Sequence, residues 1–355
     1  MSLALTLGRR GLGRTRPNPS VGAVIVQDQG GVPVIVGRGV TQPGGRPHAE
    51  TEALKQAGAL AKGATLYVTL EPCSHHGKTP PCADAIVAAG IGRVVSALED
   101  PNPEVAGQGH ARLRAAGIKV DVGLGAEEAR RAHAGHIRRI RDGRPHVTLK
   151  LGLSADGKVG LPGRKPVRIT DERAWDRVHM MRAQNDAILV GIGTVLSDDP
   201  KLTCRLPGMA AYSPVRVVLD ANLRLPVTSA LAKSAHETPV WVFGNGKADA
   251  LRAAGIEVLP ASGNGGKLDL ADILKHLAQR GVTRLMIEGG PTVAASFLNA
   301  DLIDEVALFR APKALGEGID VLEGLPLTAL TQSPRLISRG IEKVGEDTLE
   351  MFERK

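Results

Sequence analysis

Short apolar runs of strand length alternate with stretches of helical spacing along the chain, and few folds accept that alternation. In the first half the strand-like runs are Val21–Val26, Val34–Val36, Thr65–Thr69, Arg93–Ala97 and Ile118–Val122. Helical stretches lie at Ala49–Gln56, Pro81–Ala88, Gly109–Ala115 and Ala126–Arg141. Strands alternating with helices of roughly ten residues predict a three-layer α/β domain around a mostly parallel sheet. Asp142-Gly143-Arg144-Pro145 interrupts the pattern with a glycine and a proline. The alternation restarts at Val147–Leu151. Its strands are Ala187–Val190, Val215–Leu219, Val240–Phe243, Arg284–Ile287 and Glu305–Phe309, with helices near Asp171–Ala183, Leu270–Arg280 and Thr292–Asn299. The 355 residues therefore read as two α/β domains, 1–144 and 145–355, each long enough to bury its own core.

Composition narrows the class. No apolar run approaches the roughly 18 residues needed to cross a bilayer, which argues against a membrane protein. Leu3–Leu7 is too short for the apolar region of a secretion signal, and Arg9-Arg10 follows it instead of preceding it. With only 3 cysteines, the chain reads as a cytoplasmic protein of a reducing compartment. The net charge of +8 is uneven: residues 1–145 hold 19 Lys+Arg against 12 Asp+Glu, leaving 26 against 25 for the remainder. Six arginines crowd Arg130–Arg144, on the expected helix Ala126–Arg141, which reads as a solvated face and linker. His133 and His136 share that helix and read as surface residues. A basic half invites nucleic acid. Its lone aromatic, Tyr67, argues against a strand-binding surface, which would need stacking platforms.

His48-Ala49-Glu50, Pro72-Cys73 and Cys82 carry the first half's chemistry. One imidazole and two thiolates suit Zn²⁺ and leave a fourth position for water, the mark of a catalytic site. His48 and Cys82 stand at expected helix starts, where the helix dipole favours thiolate over thiol. Glu50 is then available to shuttle protons between water and substrate. Order and context match the zinc nucleobase deaminases, although eight residues separate the cysteines here where that signature has two. His75 and His76 lie in the inter-cysteine loop, facing substrate or solvent, with ligation left open. Gly77-Lys78-Thr79 mimics the end of a phosphate loop but lacks its first glycine, since Pro72 stands there. Asp100-Pro101-Asn102-Pro103 forms a turn-rich loop at a strand's C-terminal end, where open α/β sheets place ligands, and reads equally as a plain connecting loop.

In the second half, Gly191-Ile192-Gly193 after a strand is a fragment of the dinucleotide fingerprint, with Leu196 where its third glycine belongs. Glu288-Gly289-Gly290-Pro291-Thr292 ends a strand and opens a helix, and bare amides at such a start suit a cofactor phosphate. Asp198-Asp199-Pro200 with Arg205 offers paired carboxylates and a cation, or a plain exposed turn. Cys204 has no partner cysteine and reads as structural.

The run Pro17-Asn18-Pro19, Val21-Gly22, His48-Ala49-Glu50 and Thr69-Leu70-Glu71-Pro72-Cys73-Ser74-His75-His76-Gly77-Lys78-Thr79-Pro80-Pro81-Cys82 resembles the bifunctional deaminase–reductases of riboflavin biosynthesis. The likeness continues through Lys150-Leu151-Gly152, Ile169-Thr170, Arg182-Ala183-Gln184, Gly193–Pro200, Leu202-Thr203, Arg205 and Glu288–Thr292, so it covers nearly the whole chain. It implies a cytidine-deaminase-like three-layer α/β/α domain followed by a dihydrofolate-reductase-like α/β domain. The implied reactions are hydrolytic deamination of 2,5-diamino-6-(5-phosphoribosylamino)pyrimidin-4-one, then NADPH-dependent reduction of the ribosyl to a ribityl chain. Carried over, His48, Cys73 and Cys82 hold Zn²⁺ and Glu50 is catalytic. Thr170, Thr194, Asp198, Gly290, Pro291, Thr292, Val293, Ala294, Ala295 and Ser296 would hold NADPH. Arg182, Leu202, Arg205 and Glu288 would contact substrate, with the two arginines on its phosphate. Lys150 and Asp156 stand as candidates to assist sugar ring opening.

Two departures stand out. Pro17-Asn18-Pro19 comes several residues earlier than is usual in the family, and Pro166-Val167-Arg168 replaces a serine and a tryptophan before Ile169-Thr170. The expected partners are small phosphorylated pyrimidines, with no nucleic acid or membrane, and the sequence is compatible with a homo-oligomer. The competing readings are a nucleic-acid base deaminase with an accessory domain and a non-catalytic zinc module.

Overall fold

The computed structural model describes residues 1–75, 80–103, 105–164, 167–263 and 267–355. The chain separates into two compact units, Met1–Gly143 and Arg144–Lys355.

The first unit has helices α1 (Ser2–Arg10), α2 (Ala49–Ala57), α3 (Cys82–Ala88), α4 (Gln108–Ala115), α5 (Ala126–Ala132) and α6 (Ala134–Asp142). Its strands are β1 (Gly22–Gln29), β2 (Val32–Val40), β3 (Thr65–Val68), β4 (Arg93–Ser96) and β5 (Lys119–Val122), in the order β2-β1-β3-β4-β5. The sheet is mixed and not mostly parallel. β1 runs antiparallel to both β2 and β3, and only the β3–β4 and β4–β5 pairs are parallel. The cause is the Gly30-Gly31 pair, whose φ values of 68° and 87° close a two-residue hairpin turn that most side chains resist.

Helices cover both faces of this sheet. A Cβ at Gly39 of β2 would collide with the Ala49 carbonyl of α2, and one at Gly22 of β1 with the Ala4 carbonyl of α1. Gly39 pairs with Ala23, the neighbour of Gly22, so the two glycines face opposite sides and α2 and α1 form separate layers. Ala49, Ala53 and Ala57 form the buried stripe of α2.

The expected helix Ala126–Arg141 is two helices that meet at His133. His133 is buried and its Nε2 lies 3.0 Å from Thr69 Oγ1, so it is a core residue and not a surface one. It continues a stripe with Ala129 and Ile137, both packed in the core. His136 is also withdrawn from water, and burial pushes it down to about 4.

The second unit is built on β6 (His146–Leu153), β7 (Lys158–Gly160), α7 (Glu172–Ala183), β8 (Ala187–Gly191), α8 (Ile192–Asp198), β9 (Val215–Leu219) and α9 (Ala230–Lys233). There follow β10 (Val240–Phe243), α10 (Asp249–Ala253), β11 (Glu257–Leu259), α11 (Leu270–Gln279), β12 (Arg284–Ile287), α12 (Pro291–Asn299) and β13 (Glu305–Arg310). β14 (Ile319–Asp320), α13 (Thr328–Thr331), β15 (Leu336–Val344) and β16 (Asp347–Arg354) complete it. Nine strands form one sheet, ordered β11-β10-β9-β8-β12-β6-β13-β16-β15. The run from β11 to β13 is parallel, and the β15–β16 hairpin adds two antiparallel strands. Leu189 and Val217 pack into one core and Ile188 and Val218 into another, so the parallel strands are apolar on both faces.

Gly39→Ala should cost the first unit about 2 kcal/mol or more, because the added methyl must lift α2 off its strands. A lower urea midpoint for the protected amides of β1–β3 would show this; an unchanged midpoint would mean that α2 can shift freely.

Candidate functional sites

The close seating of α2 brings its first residues to the ends of β1 and β3. His48 caps the helix and Glu50, in its first turn, is only 3% exposed. Cys73 follows β3, and Cys82 is the first residue of α3. His48 Nδ1 lies 3.3 Å from Cys82 Sγ and 3.6 Å from Cys73 Sγ, and the Cys82 backbone N–H donates to Cys73 Sγ at 3.3 Å. These spacings match the edges of a tetrahedron around zinc, roughly 3.5 Å from its bond lengths. The three donors therefore fit the metal without rearrangement.

The electrostatics agree. The Cys82 side chain, then His48, hold the Cys73 thiol down at about 4, while the same pairing and burial push Cys82 up. The bond to Cys73 raises His48. Burial first, and the Cys73 charge second, push Glu50 up to about 7, where it can take and return a proton near neutrality. Glu71, Glu99 and His110 form another grouping of ligand-type residues, but both Glu71 oxygens are occupied by backbone N–H groups. His75 is exposed, and His76 with Gly77-Lys78-Thr79 lies outside the described residues.

In the second unit a cleft of about 1310 Å³ opens along the C-terminal ends of β8, β9 and β12. That volume exceeds the usual single-ligand pocket and suits a dinucleotide with a substrate beside it. Thr170, Thr194, Asp198, Glu288, Gly290, Pro291, Thr292, Val293 and Ser296 line it. Ala294 and Ala295 do not: on α12 they turn into the core, so only their backbone could serve a cofactor.

Arg182, Leu202 and Arg205 also lie off the lining. Leu202 is a core residue held at φ 56°. Arg182 is 3% exposed and spends its guanidinium on Glu288, at 2.7 and 2.9 Å, and on the Thr203 carbonyl at 3.1 Å. Burial would raise the Glu288 carboxyl, but the charge and hydrogen bonds of Arg182, with Lys150, hold it down at about 2. Arg182 is thus committed to a carboxylate, whereas Arg205 is exposed beside the pair.

Sequence reasoning missed Trp175 and His179. Trp175 lines the cleft with Lys150, whose Nζ lies 6.0 Å from its ring, and the Trp175 ring centroid is 6.1 Å from that of His179. The aromatic of the cleft therefore comes from α7. Arg168 is exposed, with its Nε donating to the Thr170 carbonyl at 3.3 Å, and Pro166 lies outside the described residues. Asp156 is no candidate acid. Its carboxylate accepts from Ser154 Oγ and the amides of Leu315 and Gly316, and the Ser154 bond first holds it down at about 2.

One unit thus offers three metal-ligand-type side chains beside a buried carboxylate, and the other a nucleotide-sized cleft with a half-buried amine and an ion pair. A chain with both is a two-step enzyme, a hydrolytic deaminase joined to a nucleotide-dependent reductase. Residues 1–98 match the cytidine and deoxycytidylate deaminase zinc-binding region, and residues 145–349 match the RibD C-terminal domain. The chain belongs to the family of riboflavin biosynthesis protein RibD, the bifunctional deaminase–reductases of that pathway, with zinc and NADPH as cofactors.

Riboflavin biosynthesis protein RibD of Aquifex aeolicus is 42% identical over 357 residues, covering 100% of this chain and 97% of that protein. The Escherichia coli protein of the same name is 41% identical over 360 residues, covering 98% and 96%. Among solved structures, Acinetobacter baumannii RibD superposes with a TM-score of 0.88 at 35% identity, covering 100% of this chain and 97% of that one. A diaminohydroxyphosphoribosylaminopyrimidine deaminase/5-amino-6-(5-phosphoribosylamino)uracil reductase from Thermotoga maritima gives 0.87 at 36%, with the same coverage. Among the described residues no helix is long and apolar enough to cross a membrane.

The buried pair yields a stability test. Arg182→Ala strands a buried carboxylate and should cost about 3–5 kcal/mol, whereas Arg182→Met with Glu288→Leu should recover most of that. Equal losses in both would mean that packing, not the unpaired charge, carries the effect. Because Glu288 is depressed in the folded state, its contribution is full above the ordinary pKa of 4.5 and is lost as pH falls toward about 2. Stability of the second unit measured across that window should decline with acid.

Proposed function

We propose that the first unit deaminates 2,5-diamino-6-(5-phosphoribosylamino)pyrimidin-4-one at C2, and that the second reduces the product's ribosyl group to ribityl. The convergence of His48, Cys73 and Cys82 beside buried Glu50 carries the reading. His48 Nδ1 and the two thiolates would hold zinc, which supplies the Lewis acidity that readies a water for attack. Glu50 takes the proton from that water as its oxygen bonds to C2. It then returns a proton to the departing amine, so water enters and ammonia leaves. Its pKa near 7 suits both transfers.

In the second unit, Thr170, Thr194, Asp198, the start of α12 and Ser296 would hold NADPH, which supplies the hydride. The α12 amides from Thr292 onward suit a cofactor phosphate, Pro291 having no N–H to give. Arg205 is the better phosphate partner of the two arginines, since Glu288 already engages Arg182. The Arg182–Glu288 pair instead fixes a carboxylate at the cleft, within electrostatic reach of the half-buried Lys150 amine.

A small phosphorylated pyrimidine fits better than a nucleic acid. Within the basic stretch, Arg131 pairs with Glu127 and Arg138 with Asp142, so part of its charge is spent internally. None of the three cysteines is in a disulfide, in keeping with a cytoplasmic setting.

Purified protein given the phosphorylated diaminopyrimidine should release ammonia without NADPH, and should form the ribityl product only with it, followed by mass. Failure of ammonia release in zinc-loaded protein would overturn the reading. Glu50→Gln should keep zinc and lose at least about 10²-fold in deamination rate. Undiminished release would remove the proton-shuttle role. Arg205→Ala should raise the reductase KM for the phosphorylated substrate with little change for NADPH, and an unchanged KM would exclude it as phosphate partner.

A further inference from the structure

Glu71 is buried, yet among the described residues it has no side-chain cation at hydrogen-bond distance; the His110 ring is 3.8 Å away. It is instead filled with main-chain donors. Oε2 accepts the N–H groups of Asp100 and Gly107, both at 2.9 Å, and Oε1 accepts those of Gly109 at 2.8 Å and His110 at 3.2 Å. Gly109 and His110 lie in the first turn of α4, whose dipole also favours the negative charge. Asp100 and Gly107 belong to the loop that leaves β4. A side chain two positions before Cys73 therefore binds together a helix start and a loop from elsewhere in the chain. Burying a carboxylate is costly, and a helix start alone can be capped by a small neutral side chain. The remaining bonds, to the loop, are where the charge brings something a neutral cap lacks.

The surroundings place that loop at the metal trio. The Gly109 backbone rests on the Pro72 carbonyl. Arg112 of α4 donates to the Ser74 carbonyl at 3.3 Å and pairs with Asp84 of α3 at 2.5 Å, so α4 touches the segments carrying both thiols. Asp100 turns its Oδ1 back to accept the Asn102 N–H at 2.9 Å. It lies within electrostatic reach of Cys73 and His75. A carboxylate there offers acceptors to the amino and ring N–H donors of a diaminopyrimidine.

We infer that Glu71 is a positioning residue of the deaminase, holding the Asp100–Asn102 turn through Asp100 N and Gly107 N as the wall that reads the pyrimidine ring. It touches no reacting atom. Its charge orders the loop, and Asp100 meets the substrate.

Glu71→Gln keeps the side chain's size but loses the charge and one of its two acceptor oxygens. In zinc-loaded full-length protein, the deaminase KM for the phosphorylated diaminopyrimidine should rise at least about tenfold, with kcat within about threefold. Zinc content and the reductase constants should stay unchanged. Asp100→Asn should raise the same KM about tenfold in the wild-type chain and less than about twofold further in Glu71→Gln, because both act through one contact. An unchanged KM in Glu71→Gln overturns the inference. So does full additivity of the two changes, or loss of zinc with a normal KM in the fraction still loaded, which would make Glu71 a strut of the metal site. Should Glu71→Gln fail to fold, Asp100→Asn decides alone, and an unchanged KM overturns the inference. The inference rests on the deaminase reading. A wild-type chain that releases no ammonia defeats that reading, whereas an active wild type with insensitive variants defeats the inference alone.

Discussion

The backbone of α2, lying on bare glycines of β2, holds the first unit together. Ala49 and Ala53 meet Gly37 and Gly39, a spacing that side chains of any size would forbid. Everything at the proposed metal site is reached through that contact. The helix start that carries His48 and Glu50 can meet the thiols only while α2 lies flat on β1 and β2. Tightness also shields the site: Glu50 is only 3% exposed, and its raised pKa follows first from that burial. Packing geometry and acid–base chemistry here are one property seen at two scales.

The second unit solves a different problem. Its parallel sheet is apolar on both faces, so polar groups survive inside it only when paired. Arg182 meets Glu288, joining α7 to the end of β12. Arg144 meets Asp304, which also accepts the Val147 N–H, and so anchors the first strand where the unit begins. The cleft forms at the strand ends because the crossover connections leave it there. Glu288 faces it as a carboxylate of fixed orientation and fixed charge.

Much of this was legible in the residue pattern. Val215–Leu219, Val240–Phe243 and Arg284–Ile287 are strands with the expected bounds, because continuous apolar runs suit a doubly buried sheet. The order His48, Glu50, Cys73, Cys82 identified the proposed metal site because its donors are reactive types, two of them at helix starts. The antiparallel edge was missed although Gly30-Gly31 carries a hairpin signal. His133 was misread because six nearby arginines suggested a wet surface, while its place in line with Ala129 and Ile137 pointed inward. The engagement of Arg182 by Glu288 could not be read at all. The partners stand 106 positions apart, and only the finished fold brings them together. Glu71 lay in plain view between known motif residues, but its partners are main-chain amides, which no side-chain pattern reveals.

His48, Cys73 and Cys82 come from the cap of one helix, the loop after a strand and the start of another helix. With these three as ligands, the metal is a cross-link as well as a reagent, since it ties together segments that are independent in the unfolded chain. Its binding free energy then adds to folding, by about 2.7 kcal/mol when free zinc is a hundred times its dissociation constant. The persistence of the deaminase unit becomes a function of how much zinc its surroundings supply, while the reductase unit, compact in its own right, escapes that dependence. A cell short of zinc would lose the first step of the sequence by unfolding before it lost the second.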